Sequence, residues 1–252
     1  MMPETDKLSM SALIKGAETA FLSGRHRKQA DVEAAVGIFL ELLRGFEVLD
    51  VPEPCVTVFG SARVREGDPA YDQARQLGRR LAETGFTVMT GGGPGVMEAA
   101  NRGAKEGGGR SLGCNIRLPE EQEPNKYLDH FVEFDHFFVR KLMLIRYSCS
   151  FVVMPGGFGT MDEGFEVATL IQSGKLKNFP VVTMGTSFWE PIRGFLRGEV
   201  TERELIGQHD LDVAKLTDDV EEAIGWILAG LEGSENGPPS PAGTSAGLPS
   251  GT

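Results

Sequence analysis

Two kinds of apolar spacing alternate along this chain. Cys55 to Phe59, Phe86 to Thr90, Phe151 to Met154 and Pro180 to Met184 are short, mostly apolar runs, and Ser111 to Leu118 and Phe131 to Phe138 are apolar-rich runs interrupted by polar residues. Runs of that length read as strands buried on both faces. Between them, apolar positions return every three or four residues, which predicts helices over Pro69–Thr84, Val96 to about Glu106, Arg140–Tyr147, Met161–Gln172, Phe188–Leu196 and Val220–Leu231. Strands alternating with helices of this length require crossover connections, and so an α/β fold with a mainly parallel sheet. Ahead of this pattern, Ala30–Leu49 has helical spacing, starts near Asp31 and is stopped by Pro52 and Pro54. Residues 1–50 therefore read as an N-terminal helical extension and 51–232 as the α/β domain. Residues 233–252 are mostly Gly, Pro, Ser, Ala and Thr and are expected to be disordered, having too little apolar surface to offset ordering entropy.

In open parallel sheets, ligands bind beyond the carboxyl ends of the strands. Three glycine-containing turns are predicted there: Gly60-Ser61-Ala62-Arg63, Gly91 to Gly95, and Pro155 to Thr160. One such turn signifies little, but three on one edge suggest a site. The third joins an apolar strand to a helix N-terminus, where backbone N–H groups and the helix dipole favour an anion. Asp162 and Glu163 are expected in the first turn of that helix, with Glu166 one turn beyond, and spacing alone leaves open which carboxylate faces the site. Arg140 and Lys141 are predicted to open the preceding helix. Cations are disfavoured at that end of a dipole, so the pair reads as functional, with Arg suited to phosphate or carboxylate.

Charge narrows the ligand. With 36 acidic and 25 basic residues the net charge is -11, which argues against nonspecific binding to nucleic acid or to an anionic membrane. No run approaches a membrane span and no signal peptide is visible. Cys55, Cys114 and Cys149 lack CxxC spacing and read as buried free thiols, so a cytoplasmic location is expected. The histidines form no metal-ligand pattern, and no metal is expected. There is no GxxxxGK[ST], and Gly91-Gly-Gly-Pro-Gly95 is not GxGxxG. A monophosphate suits the cradle better than a triphosphate or a dinucleotide.

The run Pro155-Gly-Gly-Phe-Gly-Thr-Met-Asp-Glu163 resembles the PGGxGTxxE signature of the LOG ("lonely guy") family. These are the cytokinin riboside 5'-monophosphate phosphoribohydrolases, long labelled possible lysine decarboxylases. The likeness extends from about Cys55 to Leu231 and takes in Gly91 to Ala100, Arg140-Lys141 and Thr169 to Lys175. The N-terminal helix and the Phe-Phe-Val-Arg-Lys sequence are similar to the longer bacterial members. The resemblance implies a Rossmann-like, doubly wound enzyme with helices on both faces of the sheet. It would hydrolyse the N-glycosidic bond of a nucleoside 5'-monophosphate to free base and ribose 5-phosphate, without a cofactor. It implies Arg140 and Glu163 as the catalytic pair. Substrate contacts are expected from Gly60, Ser61, Gly92, Gly93, Glu98, Lys141, Pro155, Gly156, Gly157, Gly159 and Thr160, and a homodimer or larger homo-oligomer is implied; the apolar Leu142, Ile145 and Phe165–Ile171 fit its interface and a monomer core equally well. The chain departs from the family at Gly164, where members commonly carry leucine. Pyridoxal-dependent decarboxylation has little support, because it needs a Schiff-base lysine in a deep pocket. A non-catalytic carrier of a nucleotide or of the molybdenum cofactor, on the same fold, is the alternative.

Overall fold

A computed structural model describes residues 17–23, 28–118 and 123–232. The expectation of a disordered tail over 233–252 lies outside them. So do residues 1–16 and 24–27 of the predicted N-terminal extension.

Seven strands form one sheet in the order β4-β3-β2-β1-β5-β6-β7, and every neighbouring pair is parallel. They are β1 (Cys55–Phe59), β2 (Thr87–Thr90), β3 (Ser111–Ile116), β4 (His130–Phe134), β5 (Ser150–Val153), β6 (Val181–Met184) and β7 (Lys215–Thr217). The helices are α1 (Ala17–Leu22), α2 (Lys28–Leu49), α3 (Pro69–Glu83), α4 (Val96–Glu106), α5 (Phe137–Arg146), α6 (Phe158–Gln172), α7 (Thr186–Phe195) and α8 (Val220–Leu231). A π-helical turn at Leu196–Val200 extends α7, and a 3-10 segment at Gln208–Val213 precedes β7. β7 and the 3-10 segment have too few periodic positions to be predicted.

Two apolar cores flank the sheet, as a parallel sheet covered by helices requires. One holds Leu77 and Leu81 of α3, Ala100 of α4 and Ile224 and Ile227 of α8. The other holds Leu49 of α2, Met143 and Leu144 of α5, Val167 of α6 and Trp189 of α7. Central strands are buried along their whole length, which is why they read as continuous apolar runs. From β1 the chain winds outward through β2, β3 and β4, then returns to the opposite side of β1 at β5. The ends of β1 and β5 therefore flank the point where the winding direction reverses, and a crevice opens there.

One predicted boundary is wrong in an informative way. The run Phe131–Phe138 is not one strand: β4 ends at Phe134 and α5 already begins at Phe137. The cause is tertiary. Glu41 of α2 is buried, and its carboxylate accepts from the backbone N–H of Asp135 at 3.1 Å and of His136 at 3.3 Å, while its other oxygen lies 2.7 Å from His136 Nδ1. Glu18 of α1 accepts from Phe137 N–H at 3.0 Å. Two carboxylates from the N-terminal helices thus cap α5, where N–H groups are otherwise orphaned. Glu41→Ala strands several buried donors and is expected to cost at least about 2 kcal/mol of stability in urea unfolding. A loss within about 0.5 kcal/mol, as for an ordinary surface change, would refute the capping role.

Candidate active site

The crevice beyond β1 and β5 is lined by Phe59 to Arg63, Gly91, Met97, Arg140, Gly157 to Thr160 and Glu163. At about 590 Å³ it falls among small-ligand clefts. The turn after β1 is braced by a bond from Ser61 N–H to the Pro155 carbonyl (3.0 Å) and one from Val96 N–H to the Ser61 carbonyl (3.0 Å). Gly60 is glycine because a Cβ there would lie 2.5 Å from the Val96 side chain. Gly156 has the same constraint, since its Cβ would lie 2.2 Å from Thr160 Oγ1. Gly157 and Gly159 do not: a Cβ on either would meet only open space. Both line the cleft, so the lack of a side chain there leaves backbone accessible to a ligand.

Helix α6 begins at Phe158, three residues earlier than the glycine-rich sequence suggests, with Met161 N–H already bonded to the Gly157 carbonyl (3.0 Å). No side chain caps this end. The leading N–H groups of a 15-residue helix therefore lie at the cleft wall without a capping side chain, an arrangement suited to an anion. The shifted start moves Asp162 and Glu163 out of the first turn, so dipole preference does not explain them. Geometry separates the two acids. Glu163 is buried beside Thr160 on the inward face. Asp162 turns outward to Lys141 (3.0 Å), and Glu166 joins it there at 2.8 Å, away from Glu163.

Arg140 is the fourth residue of α5, not its opening, and its backbone N–H bonds to the His136 carbonyl. Its guanidinium donates from Nε to the Cys114 carbonyl (3.0 Å) and from Nη1 to Glu163 Oε1 (2.7 Å). Gly91 makes room for it: a Cβ there would lie 3.0 Å from Arg140 Nη2. Both side chains of the ion pair are largely buried, 11% exposed for Arg140 and 9% for Glu163. Burial pushes the Glu163 carboxyl above its ordinary value, and the Arg140 guanidinium pulls only partly against it. Burial likewise pushes the neighbouring Cys114 thiol up to about 12, so it packs as a neutral group.

Of the expected site residues, Gly60, Ser61, Gly157, Gly159, Thr160, Arg140 and Glu163 line the cleft together. The others do not. Gly92 and Gly93 are buried behind it, Gly92 N–H donating to Thr90 Oγ1 (2.9 Å) and the Gly93 carbonyl accepting from Asn125 (3.1 Å). Glu98 accepts from Tyr71 Oη (3.2 Å) in an adjacent concavity. Pro155 and Gly156 shape the turn from behind, and Lys141 is held by Asp162 and Glu166. Phe59, Ala62, Arg63, Gly91, Met97 and Phe158 also line the cleft without having been expected as contacts, and two of them bear on its chemistry. Phe158 is 93% exposed, an aromatic ring with nothing to pack on, and Arg63 has no side-chain partner among the described residues. The signal for Phe158 was present, a large apolar residue inside a glycine-rich turn.

Among the described residues no three His, Cys, Asp or Glu side chains gather as a metal site, and no helix is long and apolar enough to cross a membrane.

Residues 97–227 match the family described as "Possible lysine decarboxylase". The cytokinin riboside 5'-monophosphate phosphoribohydrolase LOG of Oryza sativa subsp. japonica is 30% identical over 149 residues, 57% of this chain and 60% of the rice protein. The chain thus spans less than two thirds of that relative's length. A cytokinin riboside 5'-monophosphate phosphoribohydrolase of Rhodococcoides fascians is 28% identical over 58% of this chain and 76% of its own. Among solved structures, the molybdenum cofactor binding protein of Rippkaea orientalis superposes with a TM-score of 0.52 at 21% identity, covering 71% of this chain and 98% of that one. The molybdenum cofactor carrier protein of Chlamydomonas reinhardtii gives 0.51 at 24% identity, covering 72% and 99%. At such identity the likeness is one of fold.

Proposed function

We propose, from the premise that this chain belongs to the LOG family, that its cleft hydrolyses the N-glycosidic bond of a nucleoside 5'-monophosphate to free base and ribose 5-phosphate. The observation that carries this reading is the buried Arg140–Glu163 pair, 2.7 Å apart, at the edge of an uncapped helix N-terminus. The phosphate binds the N–H groups at Phe158–Thr160, with Arg63 supplying the charge. Fixing the phosphate there sets the ribose over Glu163 and turns remote binding energy into positioning. Departure of the base leaves an oxocarbenium-like ribosyl centre. The Glu163 carboxylate stabilises that positive charge and orients, then deprotonates, the attacking water. Arg140 holds Glu163 in place and donates towards the sugar or the departing base. Phe158 offers an exposed ring for the base to stack on.

Incubation with AMP and chromatography of the products tests this, with free adenine and ribose 5-phosphate expected. Tight binding without release from any of adenine, isopentenyladenine, guanine or cytosine monophosphates would overturn it and favour a carrier. The pH profile is a further check. Glu163 works ionised, and its carboxyl sits above the ordinary 4.5, so kcat/KM should fall as pH drops through a midpoint above 4.5. An acid limb at or below 4.5 would argue against Glu163 as the working carboxylate.

A homo-oligomer is also part of this reading. Leu142 and Phe165 are exposed, as are Val32, Val36, Phe39 and Leu43 on α2, and exposed apolar side chains in such number are usual at interfaces. Ile145 packs against the core instead.

A further inference from the structure

Helix α6 has a second concave side. Thr160, Glu163 and Val167 face inward, while Met161, Gly164, Phe165 and Ala168 form another row, since successive residues turn by about 100°. That row roofs a cavity of about 120 Å³ against Val153, Trp189 of α7 and the 3-10 segment, with a predominantly apolar lining. The nucleotide cleft and this cavity have no lining residue in common.

Gly164 keeps the cavity open. Its φ is not positive, and a Cβ there would meet only Val153 Cγ1 at 3.8 Å, an ordinary contact. Neither backbone conformation nor close packing therefore requires glycine, and mid-helix glycine weakens a helix. An unfilled apolar void also costs stability. Dry apolar cavities of roughly 150 Å³ take up benzene, and this smaller pocket, open on one side, has room for at most one phenyl or branched alkyl group.

The polar lining specifies the other end of the ligand. Asp210 is already engaged, accepting from Gln172 Nε2 (2.8 Å) and Gly207 N–H (2.8 Å). Arg197 reaches Glu190 at 3.5 Å. Arg193 lines the same cavity and has no acidic partner among the described residues. An apolar chamber with one uncompensated guanidinium at its wall suits an apolar body carrying an anion.

We propose that this cavity is a binding site, separate from the nucleotide cleft, for a small aryl or branched-alkyl carboxylate, its apolar group beneath Gly164 and its carboxylate on Arg193.

The probes are 3-phenylpropionate and the neutral 3-phenylpropan-1-ol, titrated by calorimetry into the full chain. Saturable binding of the acid is expected. Gly164→Leu fills the chamber and should weaken both compounds at least about tenfold, with Ala168→Leu as the second filling variant should the first not fold, each checked by circular dichroism. Arg193→Gln should weaken the acid by about fivefold or more and leave the alcohol within about twofold. No saturable binding by the unaltered protein would overturn the proposal, as would full affinity in a folded cavity-filled variant. An acid indifferent to Arg193→Gln would remove the carboxylate from it.

Discussion

Glu163→Gln should abolish base release, lowering kcat by roughly 10²–10⁴-fold while AMP affinity stays within a few-fold. The reasoning rests on where the residue sits. The amide keeps the shape and still accepts a hydrogen bond from Arg140 Nη1, so the cleft should persist. What would disappear, on the proposed mechanism, is the negative charge facing the developing ribosyl cation and the group that removes a proton from water. In the proposed mechanism the phosphate is held elsewhere, by N–H groups at the start of α6, and those contacts would be untouched. Single-turnover assays beside a binding titration separate the two effects. Retained turnover would remove Glu163 from its assigned role. Lost binding with lost turnover would instead assign it to substrate capture.

Arg140→Ala is expected to damage both activity and stability. Activity should fall by about 10²–10³-fold, as for loss of one preorganised donor. Stability at neutral pH should fall by about 3–5 kcal/mol, because Glu163 is left as a buried carboxylate without a counter-charge. The pH dependence identifies that cause. Burial already raises the Glu163 carboxyl, and losing Arg140 raises it further. A carboxyl whose folded value lies above its unfolded one binds more protons when native, so stability falls as pH rises through that interval. The deficit of the variant should therefore shrink as pH is lowered towards the ordinary carboxylate range, where Glu163 can be protonated. Urea unfolding near neutrality and near pH 5 reads this directly. A deficit equal at both would point to lost packing and to the lost bond with the Cys114 carbonyl.

The α/β fold could be read from the chain because its evidence is local. Cys55–Phe59, Val96–Glu106 and Val220–Leu231 have the predicted bounds, since each is a clean apolar run or a clean helical period flanked by breakers. Failures cluster where glycine or aromatic residues carry a conformation that their propensities hide. Pro-Gly-Gly-Phe-Gly reads as turn, yet its last residues are the first turn of α6. Phe131–Phe138 reads as one strand, yet it is cut by carboxylates more than ninety positions away along the chain. Gly164 departs from the family's usual leucine, and neither a close contact nor a positive φ requires glycine there; what its missing side chain leaves is space beneath the helix.

For the site, sequence by itself determined the inventory: a strand, a glycine-rich turn and a helix start, with an acid downstream and an Arg-Lys pair upstream. Those features are set by residue type and near neighbours, so spacing suffices to find them. It could not choose among Asp162, Glu163 and Glu166, nor between Arg140 and Lys141, because helix phase depends on where the helix begins. The family resemblance implied Arg140 and Glu163, and the tertiary structure supplies the geometry that sets those two apart. Starting α6 at Phe158 turns Glu163 inward, while Asp162 and Glu166 pair with Lys141. Two N-terminal carboxylates start α5 at Phe137, and that start places Arg140 against Glu163. Such contacts join residues remote along the chain, and their energy comes from burial and pairing that exist only once the sheet and its helices have assembled.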